Sequence, residues 1–305
     1  MTQKTTVLIL GASGMLGHKM FEALSSYSQY KVYGTVTSLK SFNGTLPEKY
    51  KSSISEAVYA NDLTSVEKVL TSVKPNVVIN CIGMIKQKKE NGTNIQTILL
   101  NALFPQQVSS ICEKKKIRFI TIATDCVFDG KKESEYFETD LPTCHDVYGM
   151  TKFLGEIHSG TSLTLRTSII GHELKAGVSL LDWFLGQSNK TIKGYNKAIF
   201  TGFPTVVLAR IIAEKVIPNK TLRGLYHLSA NSISKYDLLK IIKKEYKMKV
   251  KIFSDSNLKI NRALNSDKIR NKIRYSPPPW NELIREMHMD YLSSPFYKSR
   301  HKNEK

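Results

Sequence analysis

The sequence predicts an α/β fold: a doubly wound parallel sheet followed by a smaller C-terminal α+β lobe. Three observations predict it. Strand-like apolar runs alternate with segments of helical period through the first half of the chain. Two of those runs, VVIN and FITIA, are apolar on both faces, as central strands are. The length of 305 residues, with 41% hydrophobic side chains, allows one large or two closely packed domains around a substantial core.

The elements follow in order. TTVLIL reads as the first strand, Met15 to Leu24 as a helix and YKVYGTV as the second strand. Val66 to Val73 is helical, NVVINCIG is a strand, and Asn94 to Lys115 is a long helical segment. Pro105 lies inside that segment and should kink or split it, because it has no N–H to donate. RFITIA, the helix Tyr148 to Ile157 and the strand LTLRTSI complete the regular series. Beyond about residue 170 the alternation weakens. Ser179 to Gln187, Thr205 to Val216, Lys235 to Tyr246 and Trp280 to Met289 read as helices, GLYHLS and VKIF as strands, and SPPPW as a stop. Residues 1–170, with about 198–228, are assigned to the first domain. About 171–197 and 229–305 form the second lobe, with a cleft between the two.

With 45 basic and 26 acidic side chains the net charge is +19. Nucleic acid is the first partner such a charge suggests. The basic residues, however, are scattered in short clusters, Lys86 to Lys89, Lys114 to Lys116, Lys243 to Lys247 and the terminal KSRHKNEK, and lysine greatly outnumbers arginine. The expectation is therefore no nucleic-acid partner, with the positive field steering an anionic small molecule instead. No apolar run is long enough to span a membrane and the N-terminus lacks a signal-peptide pattern, so a soluble cytoplasmic protein is expected. Cys81, Cys112, Cys126 and Cys144 have neither disulfide-framework nor zinc spacing, and no metal is expected.

Gly11, Gly14 and Gly17 in GASGMLG lie between the first strand and the first helix. A turn this tight needs one residue without Cβ, backbone approach to a pyrophosphate needs a second, and helix-on-strand packing needs a third. The phosphates then meet the helix N-terminus, so Gly11, Ser13, Gly14, Met15, Leu16 and Gly17 are assigned to dinucleotide binding in a Rossmann-type domain. The spacing resembles that of short-chain dehydrogenases and reductases. Between Tyr30 and Leu46 there is no acid to hold a ribose hydroxyl. That favours NADPH, with Thr37, Ser38 or Lys40 near the extra phosphate and NADH as the alternative. Asp62, followed by Leu63, resembles that superfamily's adenine-contacting aspartate, with a helix N-cap as its competing role.

Tyr148 and Lys152 in YGMTK share one helix face. Reducing a ketone creates an alkoxide that must be protonated, and a phenol does this well only when a nearby cation tunes it. Thr124, at the end of the preceding strand, is placed to hydrogen-bond the substrate carbonyl.

GASGMLG, Asn101 in LLNALFP, TDCVFDG, FETDLP, YGMTKFLGE and LRTSIIG, then FTGFPTVVLAR, GLYHLSA and NRALNS, resemble the dTDP-4-dehydrorhamnose reductase family over nearly the whole chain. The resemblance implies reduction at C4 of a dTDP- or UDP-linked 4-keto-6-deoxy-L-hexose, of rhamnose or N-acetyl-rhamnosamine type. It puts Thr124, Tyr148 and Lys152 at the catalytic positions and Arg262 near the nucleotide or its diphosphate. It also places Cys81, Ile82, Gly83 and Asn101 beside the cofactor, and a homodimer is expected.

Cys126 departs from the aromatic residue common at that position. In related bifunctional enzymes a cysteine there epimerises carbons beside the ketone, which would make Cys126 an acid/base with His172 as its partner. The competing roles are a small buried hydrophobe and a satisfied polar group. Trp183, Phe200, Phe203 and Tyr226 are candidates for the wall of the base or sugar pocket; core packing is the competing role for each. Two other classes fit the same residues. One is a non-catalytic regulatory subunit of the methionine adenosyltransferase type; the other is a nucleotide-sugar 4-epimerase.

Overall fold

Each apolar run becomes a buried element because its period matches the face it covers. The computed structural model describes residues 3–84, 94–175, 177 and 179–298. The cluster Lys86 to Lys89 and all but the first residue of the terminal KSRHKNEK lie outside the described residues. The regular series is β1 (Thr5–Leu10), α1 (Met15–Ser25), β2 (Tyr30–Thr35), β3 (Ile54–Ser55), α2 (Leu63–Val73), β4 (Val77–Asn80), α3 (Asn94–Ile98), α4 (Phe104–Lys114), β5 (Arg118–Thr124), α5 (Val147–Leu154) and β6 (Leu163–Thr167). All four residues of β4 are buried, as its two apolar faces predict. In α1, Leu16, Met20, Phe21 and Leu24 form the buried stripe.

The second half contributes β7 (Ile169–Ile170), α6 (Leu180–Leu185), β8 (Thr191–Tyr195), β9 (Ala198–Phe200), β10 (Phe203–Pro204), α7 (Thr205–Ile211) and β11 (Gly224–His227). It ends with β12 (Ile233–Ser234), α8 (Lys235–Glu245), β13 (Lys251–Asp255), β14 (Ile260–Asn261), α9 (Asp267–Ile273) and α10 (Trp280–Ser293). The central sheet has seven parallel strands in the order β11-β6-β5-β4-β1-β2-β3. The order reverses between β1 and β4, which opens a crevice at their C-terminal ends where open α/β sheets bind ligands.

In two places contacts cross the expected domain boundaries. Strand β9, expected with the first domain, pairs with β12 and β14 of the lobe. Helix α10 and the turn after it, expected in the lobe, fold back onto α1: Lys19 donates to Asp290 of α10 at 2.6 Å, and His18 Nε2 meets the hydroxyl of Tyr297, beyond its end, at 2.6 Å. Both differences come from contacts between residues far apart in sequence, which local patterning does not encode.

The break expected at Pro105 takes a specific form. Leu99–Leu103 is π-helical, and Pro105 falls in the first turn of α4. Pro105 has no N–H for the carbonyl of Asn101, four residues earlier. The end of α5 packs there instead: a Cβ on Gly155 would collide with that carbonyl and lie 2.9 Å from Pro105 Cγ. Gly155→Ala is therefore expected to lower stability by about 1–3 kcal/mol through overpacking. Urea denaturation will measure it, and an unchanged midpoint would contradict the close packing.

Candidate active site

The glycine turn assembles as its spacing requires. Gly11 leaves β1 with φ +81°, a conformation that side chains disfavour. A Cβ on Gly17 would collide with the Gly11 carbonyl oxygen, so the third glycine sets the distance between α1 and β1. Gly14 is the N-cap of α1 and offers no side-chain cap. The first-turn N–H groups, including those of Met15 and Leu16, are thus left without an intrahelical acceptor, a ready cradle for a phosphate. Beside it lies a cleft of about 440 Å³ lined by Gly11, Ser13, Thr35, Thr37, Asn61 and Ile82, among others. These features fit a dinucleotide.

Part of the expected cofactor set does not line that cleft. Asp62 accepts hydrogen bonds from the N–H groups of Thr64 and Ser65 and so caps α2, while Leu63 packs against the apolar cluster under the sheet. Asn61 takes the place at the cleft wall. Thr37 lines the cleft; Ser38 instead caps the short helix Leu39–Phe42 by accepting from the Lys40 N–H, and Lys40 is exposed. A carboxylate does reach this loop: Glu56, outside the acid-free stretch, accepts the Leu39 N–H at 2.8 Å.

Thr124, Tyr148 and Lys152 converge at the C-terminal end of β5. Asp146 caps α5 by accepting the Gly149 N–H at 3.0 Å, which fixes the helix that carries Tyr148 and Lys152. The Lys152 ammonium donates to the Ile122 carbonyl of β5 at 2.7 Å. Burial pulls its pKa down to about 8, while Glu156 and Cys81 act in the other direction. Burial, with the neighbouring Cys126, pushes the Tyr148 phenol upward; Thr124 counteracts this by hydrogen bonding. Burial is the largest of these effects and holds the phenol toward its protonated form.

Asn101, in the π segment, accepts the Met84 N–H at 2.8 Å and donates to the Met84 carbonyl at 3.2 Å. It thereby holds the stretch after β4. A Cβ on Gly83 would lie 3.2 Å from Asn101 Oδ1 and 3.7 Å from Lys152 Nζ, so Gly83 leaves the space beside the ammonium open. The Cys81 thiol at the end of β4 is pushed up to about 12 by burial, with Lys152 pulling it down.

Several expected site residues do not behave as the sequence suggested. Cys126 sits beside Tyr148, and burial and then Asp125 push its thiol up to about 12. Arg262 is anchored beside it: Nε donates to the Phe128 carbonyl at 2.7 Å and Nη1 lies 3.5 Å from Cys126 Sγ. His172 is not opposite Cys126. It is 3% exposed, stacks on Tyr291 and meets the Tyr246 hydroxyl at 2.9 Å and Asp182 at 3.6 Å. Those contacts lock it into an aromatic cluster under α10 in a structural role. Phe200 is buried in the main core against Trp280, as are Phe203 and Tyr226 in that core, so Phe200 is packing rather than pocket wall. Trp183, on α6, is 43% exposed and free for contact.

With this geometry in place, the sequence matches the RmlD substrate binding domain family over residues 5–293. The chain belongs to that family. A dTDP-4-dehydrorhamnose reductase of Aggregatibacter actinomycetemcomitans is 28% identical over 245 residues, 76% of each chain. A dTDP-4-keto-6-deoxy-D-glucose reductase of Streptomyces niveus is 25% identical over 149 residues, 49% of this chain and 45% of that protein. The crystal structure of a dTDP-4-dehydrorhamnose reductase from Bacillus anthracis in complex with NADP superposes with a TM-score of 0.76 at 22% identity, over 94% of this chain and 99% of that one.

One residue of this family member gave no clear signal in the sequence. Asp125 is buried between Thr124, Cys126 and Arg262, and burial raises its pKa. The Thr124 hydroxyl donates to it at 3.2 Å. Its position beside Thr124 was visible; its burial against Arg262, contributed by the distant lobe, was not. Lys152 has a folded pKa of about 8 against 10.5 for an ordinary lysine, so the unfolded state binds more protons between those values and stability rises with pH across that window. Below pH 8 the cost is fully present, on the order of 3 kcal/mol. Lys152→Met is expected to raise stability at neutral pH, flatten that slope and lower turnover about 100-fold. Urea melts at neutral and alkaline pH, with turnover, check it.

Proposed function

We propose that this protein reduces the C4 ketone of a dTDP- or UDP-linked 4-keto-6-deoxy-L-hexose with NADPH. The single observation that carries the reading is the convergence of Thr124, Tyr148 and Lys152 at the end of β5, beside the glycine turn and the open space at Gly83. When bound, the cofactor supplies a hydride to the carbonyl carbon. The first turn of α1 would hold its pyrophosphate and Lys152 its nicotinamide ribose. The B. anthracis relative was solved with NADP, and the stretch from Tyr30 to Leu46 has no acid of its own, the Glu56 carboxylate that reaches it being engaged by the Leu39 N–H.

Tyr148 supplies the proton. A phenol held protonated by its surroundings is a competent acid toward an alkoxide, whose own pKa is far higher. Lys152, still charged near neutral pH, offsets the charge left on the phenolate. Thr124 orients the carbonyl oxygen. The Asp125 carboxyl, buried beside Arg262, accepts from the Thr124 hydroxyl at 3.2 Å and fixes where that hydroxyl sits.

The reading is a simple reductase, without C3 epimerisation: Cys126 is a poor base, and no partner for it is supplied by His172. A methionine adenosyltransferase 2 subunit beta of Danio rerio is 25% identical over 76% of this chain. The complete proton-donor set favours catalysis over that regulatory role. The protein is also proposed to be a homodimer. Ile95, Ile98 and Leu103 are exposed beside the equally exposed Met150 and Leu154 of α5, an uncharged apolar face on a highly charged chain.

Mixing the protein with NADPH and an enzymatically generated 4-keto sugar nucleotide should deplete nicotinamide absorbance, and Tyr148→Phe should slow this by about 100-fold or more. In deuterated water the product should carry no deuterium at C3; label there would overturn the simple-reductase reading. Light scattering should give twice the chain mass, and Met150→Glu with Leu154→Glu should give the monomer.

A further inference from the structure

We propose that the cleft at the N-terminal edge of the central sheet, opposite the active site, binds a compact polyanion carrying two or more phosphate groups. The cleft has a volume of about 1020 Å³. Its cations come from separate stretches of chain: Lys4 ahead of β1, Lys74 after α2, Lys115 and Lys116 after α4, Arg118 at the start of β5, and Lys220 and Arg223 ahead of β11. One carboxylate, Glu113, faces these seven cations. Among the described residues none of the seven forms a salt bridge.

Helix C-termini favour nearby cations, which accounts for Lys74, Lys115 and Lys116. It does not account for Lys4 or Arg223, nor for the way all seven surround one concavity. Arg118 is the built part of the site. Its Nη groups are held by the carbonyls of Val216, Ile217, Asn219 and Leu222, while Nε is buried without a hydrogen-bond partner. Those four carbonyls fix the guanidinium at the cleft wall, and no carboxylate pairs with it among the described residues. Burial and the charge of Arg223 also pull Arg118 down to about 10, so the two guanidiniums oppose each other and an anion between them would relieve this.

Shape decides the class of ligand. Tyr30, Val77 and Ile117 share the lining with the cations, which come from strand starts and the segments that flank them. A duplex or a membrane would meet only the rim, whereas a small polyanion enters, and the volume is that of a small-molecule site. The cofactor cleft is a separate place: Thr5 lines this cavity and Gly11 lines the other, with β1 spanning about 20 Å between them.

The test uses the full chain saturated with NADP and inorganic tripolyphosphate as the probe, followed by calorimetry at ~150 mM salt. Wild type should bind, and Lys115→Glu with Arg223→Glu should weaken binding about tenfold or more while leaving turnover and the melting temperature unchanged. Absence of binding at millimolar probe would overturn the proposal. So would equal binding by the variant, which would put the probe at the substrate diphosphate subsite, or charge-dependent binding of duplex DNA or anionic vesicles without binding of tripolyphosphate. None of these outcomes depends on which sugar the active site reduces.

Discussion

The hydrogen bond from the Lys152 ammonium to the Ile122 carbonyl is the constraint on which the site depends. It ties α5 to β5, and those two elements carry Tyr148 and Thr124. A buried cation needs an acceptor, and a strand-end carbonyl provides one without neutralising the charge. The ammonium therefore stays available to the reaction at a cost to stability, as expected where function and folding compete.

Around that bond the backbone is arranged to leave room. Pro105 withholds a donor from the Asn101 carbonyl, the helix widens into a π turn, and Gly155 brings α5 against it. The Asn101 side chain is then free to hold Met84 and, with it, the stretch that contains Gly83. One irregular turn thus serves helix packing and the cofactor wall together, consistent with the frequent appearance of π bulges at functional sites.

The lobe closes the site from the other side. The Asn261 N–H donates to the Gly130 carbonyl at 2.8 Å, and Arg262 reaches Phe128 and Cys126. Beneath them Arg166 and Glu156 form a buried bidentate pair, and burial together with Arg166 keeps His227 down to about 3, so it remains neutral. This interior ion pair is fully hydrogen-bonded, the condition under which such a pair is tolerated.

By itself the sequence determined the features that arise within a few residues of chain. The glycine turn, the Tyr148–Lys152 face, the break near Pro105 and the doubly wound order were all legible, because backbone sterics and helical period act locally. The tertiary structure alone decided what each titratable group became. Burial and Asp125 push the Cys126 thiol up, although Arg262, from 136 residues away, pulls it the other way. His172 was claimed by an aromatic cluster closed by α10, and Asp62 turned from the cleft to cap its own helix. Proton affinity depends on the surroundings in three dimensions, and those are supplied by residues that no short stretch of sequence contains.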